Sequence, residues 1–196
     1  MNTAEPFVEQ MRAFTRRQLA VFCMSCADRM SPAFVAFAQH TPASTYVKWM
    51  AQAWQVVGAR DKVTARSLAV EMSAAPEADE TDSYLPDYWA MRALNPLRYA
   101  VEAVFENALE RAQWSSISAR ELLASFAYDV PNNLPELEVS EQVAVVNWLA
   151  ATGAGLEIDD AIKRAEKSQV KALLTDVVRR FAVSNGWESP PLGDAT

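Results

Sequence analysis

Apolar residues recur at helical spacing along almost the whole chain. Near the N-terminus, five of them follow the i, i+3, i+4, i+7 rule for one face of a helix: Leu19, Phe22, Cys23, Cys26 and Met30. Similar stripes run from Tyr46 to Val57 and from Val170 to Phe181, and no strand-like alternation is sustained. The pattern predicts an all-α protein, a single-domain multi-helix bundle of about seven to nine helices over residues 1–187, with a frayed tail at 188–196.

Proline and glycine mark the predicted helix boundaries. Ser31 and Pro32 are the residue types of an N-cap and a first helical position, so we expect a second, short helix to begin there. Gly58 is expected to end the next helix, because glycine readily adopts the left-handed conformation of a helix C-terminus. Pro96 lacks a backbone donor, and we expect it to kink or divide a long helical stretch near Asn95.

The composition is that of a globular protein. Hydrophobic residues make up 51% of the 196 residues and only five residues are glycine, which favours helices. The N-terminal segment contains acidic residues and no long apolar run, unlike a signal peptide. No apolar run approaches the roughly 18 residues of a membrane span. We therefore expect a cytoplasmic protein.

The two cysteines form a CxxC pair within the first apolar stripe. A zinc site needs four ligands, yet His40 is the only histidine and there is no second cysteine pair. A thioredoxin-type redox site needs a strand before the motif, and none is predicted. We therefore expect Cys23 and Cys26 to be buried, reduced thiols, and we expect no metal and no cofactor.

Sequence motifs of enzymes are missing. The chain has no GxGxxG and no Walker phosphate loop, and a single histidine excludes a helical HExxH metal motif. A Ser/His/Asp triad would have to use His40, which we expect to be a polar residue at a helix end. The sequence therefore predicts a protein that is not an enzyme.

Charge is distributed unevenly along the chain, whose formal net charge is −7. No basic residue occurs between Arg66 and Arg92, which we call the first acidic stretch, or between Arg120 and Lys163, the second acidic stretch. The acidic residues are Glu71, Glu77, Asp79, Glu80, Asp82 and Asp87 in the first, and Glu121, Asp129, Glu136, Glu138, Glu141, Glu157, Asp159 and Asp160 in the second. Such a field repels nucleic acids and anionic membranes and attracts basic proteins, or it serves solubility alone.

Basic residues collect towards the two ends of the chain. They include Arg12, Arg16, Arg17, Lys163, Arg164, Lys167, Lys171, Arg179 and Arg180. The C-terminal group alternates with apolar residues and has no interleaved aromatics. This pattern predicts the solvated side of an amphipathic helix.

The most polar segment, residues 76–82, lies in the first acidic stretch. Together with its neighbours it supplies the candidate partner-binding residues, which are Asp79, Glu80, Asp82, Tyr84, Asp87 and Tyr88. Exposed aromatics flanked by acids are typical of a protein-binding surface. Two alternatives stay open: a solvated loop in which Asp82 or Ser83 caps the next helix, and a cation site without the glycine and distal glutamate of a calcium loop.

Four sequence blocks resemble a known family. They are Asp28–Phe34 with Phe37, Gln39 and Thr41; Tyr46 with Trp54; Pro76, Ala78, Asp79, Glu80, Asp82 and Tyr84; and Ser184–Gly186. Their residues and spacing are similar to those of the YjaG-like bacterial family, domain of unknown function number 416. The chain departs from that family at Pro96, which interrupts a normally unbroken helix. The resemblance implies an all-helical fold and implies no catalytic residue or cofactor.

The leading functional hypothesis is a non-enzymatic protein-binding module with a basic protein partner. Its most concrete form is an immunity-type protein that neutralises a basic, nuclease-like bacterial toxin by occluding its active site. The alternative is a housekeeping helical protein that acts as a homo-oligomer, such as a homodimer joined through an apolar helix face. A third hypothesis is an enzyme with a metal site in the acidic segment. No nucleic-acid or membrane partner is expected.

Overall fold

The structure, a computed structural model, describes residues 7–130 and 132–187. These residues form nine α-helices and two short 3-10 helices, and no β-strand occurs among them. The α-helices are α1 (Val8–Met11), α2 (Arg16–Phe37), α3 (Ala43–Ala59), α4 (Lys62–Ser73), α5 (Pro86–Glu102), α6 (Ala108–Asp129), α7 (Leu134–Thr152), α8 (Ile158–Ala165) and α9 (Gln169–Ser184); the 3-10 helices span Pro76–Asp79 and Gly153–Gly155. The all-α prediction is confirmed. The predicted frayed tail at 188–196 lies outside the described residues.

Helix α2 is the centre of the fold. Nearly all of its side chains are buried, and it packs against α3, α5, α6, α7, α8 and α9. The expectation that no segment approaches a membrane span is wrong for α2, which is long and apolar enough, with a mean hydropathy of 1.3 over 18 residues. However, 83% of that window is buried inside the protein. Its apolar character is therefore that of a central core helix.

Helix α2 continues through Pro32, so the break expected at Ser31 is wrong. A proline has no N–H to donate to the carbonyl four residues earlier, which here belongs to Asp28. The hydroxyl of Ser31 donates to that carbonyl oxygen instead, at 2.7 Å. The serine thus replaces the hydrogen bond that the proline removes, and α2 remains one helix.

Helix α5 also continues through a proline, the buried Pro96. The chain turns instead at residues 103–107, after which the side chain of Asn107 accepts a hydrogen bond from the Glu110 N–H and caps α6. The expected division near Asn95 is therefore wrong. Packing of α5 against α2 and α6 supports the helix across the proline, while asparagine supplies a favourable N-cap for α6.

Arg60, and not Gly58, is the C-terminal cap of α3. Arg60 has a φ of 58°, in the left-handed region that glycine adopts most readily. A Cβ added to Gly58 would lie 3.1 Å from Cγ1 of Ile158 at the start of α8. The glycine therefore allows the end of α3 to pack closely against the start of α8, and the predicted helix end is wrong by two residues.

An aromatic cluster joins α2, α5, α6 and α9. Its members, whose ring centroids are 4.8 to 6.0 Å apart, are Phe37, Trp89, Phe126, Phe181 and Trp187. Burial of such rings contributes strongly to core stability. Because Trp89 lies in the first turn of α5, the cluster also fixes the part of α5 that follows the most polar segment.

Candidate functional site

Glu77 anchors the base of the polar segment at residues 76–85, which we call the acidic loop. Its buried carboxylate accepts hydrogen bonds from the His40 N–H at 2.9 Å, the Thr41 N–H at 2.6 Å and the Thr41 hydroxyl at 2.6 Å. Burial opposes ionisation, but these hydrogen bonds outweigh it and lower the pKa of Glu77. Glu77 therefore fastens the acidic loop to the connection between α2 and α3.

Asp87 fastens the same connection from the first turn of α5. Its Oδ1 accepts a hydrogen bond from the Gln39 N–H at 2.8 Å, and its Oδ2 lies 3.4 Å from Nε2 of His40. The carboxylate is 13% exposed, and burial raises its pKa, as do the nearby charges of Glu77 and Glu80. Of the predicted partner-binding residues, Asp87 is thus one whose carboxylate is engaged inside the protein. His40 is exposed at a helix end, as predicted.

The remaining predicted acids lie together on the outside of the acidic loop. Asp79 and Asp82 are exposed and Glu80 is half-buried. Glu80 Oε1 accepts from the N–H groups of Thr81 and Asp82 at 2.7 and 2.8 Å, and Asp82 Oδ1 accepts from the Tyr84 N–H at 3.0 Å. These donors are neutral backbone groups. No cationic side chain of the described residues forms an ion pair with Asp79, Glu80 or Asp82.

Tyr84 projects from the loop beside these acids. Its side chain is 87% exposed, and the following residue, Leu85, is 44% exposed. An aromatic residue this exposed gains little from burial within its own chain, so its apolar ring remains available for contact. We call Asp79, Glu80, Asp82 and Tyr84 the acidic surface.

Tyr88, the last of the predicted partner-binding residues, is half-buried on α5. Its ring stands edge-on to Trp89 with centroids 5.5 Å apart, and the guanidinium of Arg92 lies 5.7 Å from its centroid. The indole N–H of Trp89 donates to the carbonyl of Ser83 at 3.2 Å, which ties the acidic loop to α5. The structure therefore brings four of the six predicted residues together as a surface and uses Asp87 and Tyr88 mainly to support it.

Neither Asp82 nor Ser83 caps α5, so the cap expected in the solvated-loop alternative is wrong, whereas the solvated loop itself stays open. The helix begins at Pro86, and no side chain forms a cap at its N-terminus. Pro86 itself has no N–H, which leaves one donor fewer to satisfy. The Asp82 carboxylate instead accepts a hydrogen bond from the Tyr84 N–H, within the loop.

The cation-site alternative concerns the same carboxylates. Hard cations prefer several oxygen ligands converging on one point. Within residues 7–130 and 132–187, no three or more His, Cys, Asp or Glu side chains are grouped in a way that holds a metal ion.

Carboxylates of the second acidic stretch have a different environment. Glu138 is fully buried and forms a two-pronged ion pair with Arg29 of α2, with Nε to Oε2 at 2.6 Å and Nη2 to Oε1 at 2.7 Å. Glu141 lies 3.8 Å from the same guanidinium and accepts hydrogen bonds from the Ser168 hydroxyl and the Val170 N–H. These two carboxylates therefore hold helices together and contribute little to an external negative field.

The other acidic residues of the second acidic stretch differ in their environments. Glu121 lies 3.5 Å from Arg92 of α5. The exposed members are Glu136, Glu157, Asp159 and Asp160, and the side chain of Asp129 lies outside the described residues. The negative field of the second acidic stretch is therefore weaker than its sequence indicates, because Arg29 and Arg92 from distant helices neutralise part of its charge.

Arg29 is the centre of a buried polar network. Glu138 also accepts from Gln142 Nε2 at 2.8 Å, Gln142 accepts from the Ser116 hydroxyl at 2.7 Å, and Arg29 Nη2 lies 3.4 Å from Cys26 Sγ. Burial disfavours the guanidinium charge, but Glu138 outweighs it and raises the pKa of Arg29. A satisfied network of this kind fixes the mutual positions of α2, α6 and α7.

Both cysteines are buried in α2, as predicted, and neither forms a disulfide among the described residues. Burial raises the pKa of the Cys23 thiol well above its ordinary value, and the neighbouring Cys26 adds to the effect. The thiol form is therefore favoured at neutral pH.

Sequence reasoning missed the role of Arg29 and Glu138, which are 109 residues apart in the chain. Arg29 belongs to the first family-like block, and its neighbour Asp28 pairs with Lys171 of α9 at 2.9 Å. Thr41, in the same block, holds Glu77. The one available signal was this block itself, whose charged and polar residues turn out to connect α2 with three distant parts of the chain.

Comparison with known proteins identifies one family. A family model described as a protein of unknown function (DUF416) matches residues 6–185. The resemblance inferred from the four sequence blocks is therefore confirmed over nearly the whole chain. No curated protein and no solved structure matches the chain significantly.

Proposed function

The chain belongs to the DUF416 family, and from this premise we propose that it is a non-enzymatic, cytoplasmic protein-binding module whose acidic surface docks a basic protein. The observation that carries the proposal is that Asp79, Glu80 and Asp82 lie in one loop with the exposed Tyr84, and that these three acids have no ion-pair partner among the described residues. Supporting arguments come from the charge of this surface, its fixed geometry and its exposed ring.

The charge of the acidic surface favours a basic partner. A carboxylate that is already paired gains little from a second cation, whereas Glu80 and Asp82 accept only from backbone donors and Asp79 has no hydrogen-bond or ion-pair partner among the described residues. The protein also carries a net charge of −7, which adds a long-range attraction for cations. Complementary fields of this kind raise association rates by roughly 10- to 1,000-fold and set the orientation of encounter.

The fixed geometry of the acidic loop reduces the entropic cost of binding. Glu77 and Asp87 attach it to the α2–α3 connection, and the indole of Trp89 holds the Ser83 carbonyl. A loop held in place before association loses less conformational freedom when a partner binds. Three internal anchors on a short surface loop are consistent with a surface that is presented in one conformation.

Tyr84 supplies the apolar contact that charge alone lacks. Tyrosine is enriched among the residues that dominate binding energy at protein interfaces, since its ring buries a large area and its hydroxyl can still form a hydrogen bond. At 87% exposure, nearly all of that area is available to a partner. The acidic surface therefore combines an anchor residue with a charged rim.

In its most concrete form, the proposal is an immunity-type protein that neutralises a basic, nuclease-like toxin. A nuclease active site binds phosphates with cationic side chains. Carboxylates arranged around a protruding tyrosine would occupy such a site in place of a nucleic-acid backbone. The toxin would then be blocked by occlusion, without any chemical step on the part of this protein.

The direct test is calorimetric titration with the protein encoded by the neighbouring gene. We expect saturable binding to the wild type and a loss of affinity of at least about tenfold in the Asp79→Lys/Asp82→Lys variant, which reverses two contacts worth roughly 1.4 kcal/mol or more in total. Affinity for the wild type should also fall as salt concentration rises.

The matched control is Asp159→Lys/Asp160→Lys, which changes the net charge equally at two exposed acids of the second acidic stretch. We expect it to retain binding within about twofold, apart from the general loss of steering. No heat of binding with the neighbouring protein, or equal losses in the two variants, would contradict the proposal.

A homodimer is the second candidate, and exposed apolar residues of α4 favour it. Val63 and Val70 are 73% and 70% exposed and lie seven residues apart, on one face of the helix. Light scattering across a concentration series should detect a dimer that Val63→Asp/Val70→Asp converts to a monomer. A wild type that is monomeric at every concentration would remove this candidate.

A further inference from the structure

A cationic pocket lies far from the acidic loop in sequence, where the start of α2, the end of α3, the start of α4 and the α5–α6 turn meet. Its volume is about 270 Å³. Four cationic side chains line it, Arg16, Arg17, Arg60 and Lys62, and no carboxylate does. In a protein with a net charge of −7, this concentration of positive charge runs against the rest of the composition.

Three of the four cations have no partner within the part of the chain that the structure describes. Arg16 donates to the carbonyls of Ala103 and Glu106 in the α5–α6 turn. The side chains of Arg17, Arg60 and Lys62 form no hydrogen bond or ion pair there. Like charges brought together without a counter-charge repel one another, and an anion in the pocket would relieve that repulsion.

Arg17 carries the most direct sign of a missing acceptor. Its Nε atom is buried from solvent and has no hydrogen-bond partner. A buried N–H group without an acceptor loses its hydration and gains nothing in return, and such groups are rare in folded proteins.

Two carboxylates near the pocket form ion pairs with a different arginine. Glu102 and Glu106, which flank the α5–α6 turn, both pair with Arg111 of α6, with Nε of Arg111 3.0 Å from Glu102. They therefore leave Arg17 and Lys62 unneutralised, although the chain offers acids close by. The pocket is therefore positive both because four cationic residues line it and because the fold pairs Glu102 and Glu106 with Arg111.

Backbone features strengthen the attraction for an anion. The first turn of the 22-residue helix α2 contributes Thr15, Arg16 and Arg17 to the pocket wall, and a helix N-terminus carries a partial positive charge. Arg60 has the left-handed φ of 58°, where glycine or asparagine is the favoured residue. Arginine at such a position places a cationic side chain at the pocket despite an unfavourable backbone conformation.

We infer that this pocket binds a small phosphate-bearing molecule, with the phosphate held by Arg17, Arg60 and Lys62. A phosphate dianion matches three unpaired cations better than a monocarboxylate does, and its oxygens accept several hydrogen bonds at once. The volume lies just below the usual range for ligand pockets, which favours a compact ligand. This inference does not depend on the acidic surface or on the proposed function.

The rest of the pocket indicates what the phosphate is attached to. Ala20, Val57 and Val104 form an apolar wall beside the cations. A phosphomonoester with a small apolar group would place that group on the wall and its phosphate among the cations. Such a ligand should bind more tightly than inorganic phosphate alone.

The test is calorimetric titration of the intact protein with inorganic phosphate and with phenyl phosphate, each compared with sodium chloride at equal ionic strength. We expect saturable binding of both phosphates, tighter for phenyl phosphate. The Arg17→Gln/Lys62→Gln variant should lose affinity for both by at least about tenfold. Lys163→Gln/Arg179→Gln, which removes two exposed cations elsewhere, should stay within about twofold.

The Arg60→Gly variant distinguishes a loss of phosphate binding from a loss of folding. Glycine suits the left-handed position, so this variant should melt at the same temperature as the wild type or higher, while its affinity for phosphate falls. Saturable binding that Arg60→Gly and Arg17→Gln/Lys62→Gln weaken supports the inference. Heats no larger than those of sodium chloride, or equal affinities in all variants, would overturn it.

Discussion

The two acidic stretches look alike in sequence and differ in three dimensions. Each is a long segment without a basic residue, and each carries at least six carboxylates. In the first, Glu80 and Asp82 accept only from neutral backbone donors, and Asp79 has no partner among the described residues. In the second, Glu138 is fully buried against Arg29, and Glu121 lies beside Arg92. The first stretch therefore keeps three acids close together in one loop, although Glu77 and Asp87 are used internally. The second stretch uses two acids between helices, and its exposed acids lie apart along the chain, at residues 136 and 157–160.

A run of acidic residues in the sequence does not by itself predict whether their carboxylates are paired in the folded protein. A helix brings side chains from distant segments within ion-pair distance, so the lack of nearby bases in sequence leaves pairing undetermined. A loop of ten residues has fewer such neighbours, and its acids tend to remain solvated. The acidic loop is consequently the part of the first stretch on which the proposed function depends.

The largest effect is expected from breaking the buried pair of the second stretch. Arg29→Met leaves the Glu138 carboxylate buried without its counter-charge and should lower the free energy of unfolding by about 3–5 kcal/mol in urea denaturation. The Arg29→Met/Glu138→Leu double variant replaces both charges by apolar groups and should be more stable than the single variant. A double variant less stable than Arg29→Met would contradict this account of the pair.

A smaller loss is expected at the anchor of the acidic loop. Glu77→Gln removes the negative charge of the carboxylate that accepts hydrogen bonds from Thr41 and His40. This variant should lower the free energy of unfolding by about 1–3 kcal/mol. Glu136→Gln, an exposed carboxylate of the second stretch, is the matched control and should be neutral in the same denaturation experiment. Equal effects in the two variants would show that Glu77 is not an anchor.

The two carboxylates that hold the α2–α3 connection should respond to pH in opposite directions. The pKa of Glu77 is lowered from its ordinary value of 4.5, so its stabilisation is full above that pH and is lost as the pH falls through the folded-state pKa. The pKa of Asp87 is raised from 3.8, so the wild type should gain stability relative to Asp87→Asn as the pH falls through that raised pKa. Denaturation curves of both variants between about pH 3 and 7 measure this.

The smallest effect on stability is expected at the acidic surface itself. Asp79→Lys/Asp82→Lys changes two exposed side chains that form no ion pair among the described residues. The midpoint of urea denaturation should therefore stay close to that of the wild type. A large loss of stability in this variant would mean that these acids serve the fold, and the comparison between the stretches would fail.

Much of the fold was predictable because it depends on local periodicity. The apolar stripes of α2, α3 and α9 predicted those helices, and the confirmed family resemblance covers residues 6–185. Helix boundaries were less predictable where a side chain replaces a missing backbone hydrogen bond. The Ser31 hydroxyl does so for the hydrogen bond that Pro32 cannot donate. Helix caps were missed for a similar reason, since Arg60 holds a conformation that glycine usually adopts.

The candidate site was predictable only in part. Asp79, Glu80, Asp82 and Tyr84 are neighbours in sequence, so a single polar loop brings them together. The internal use of Asp87 depends on the Gln39 N–H, 48 residues earlier in the chain. The cationic pocket combines four separate segments, and no pattern within any one of them indicates it.

The central claim is that the acidic surface is a docking surface for a basic protein. The most direct test is a heteronuclear NMR titration of the isotope-labelled protein with the product of the neighbouring gene. The account predicts amide shift changes concentrated at residues 79–85 and the start of α5, with the exposed acids of the second stretch unaffected. Shift changes centred on α4 or on residues 157–160, with residues 79–85 unchanged, would contradict it.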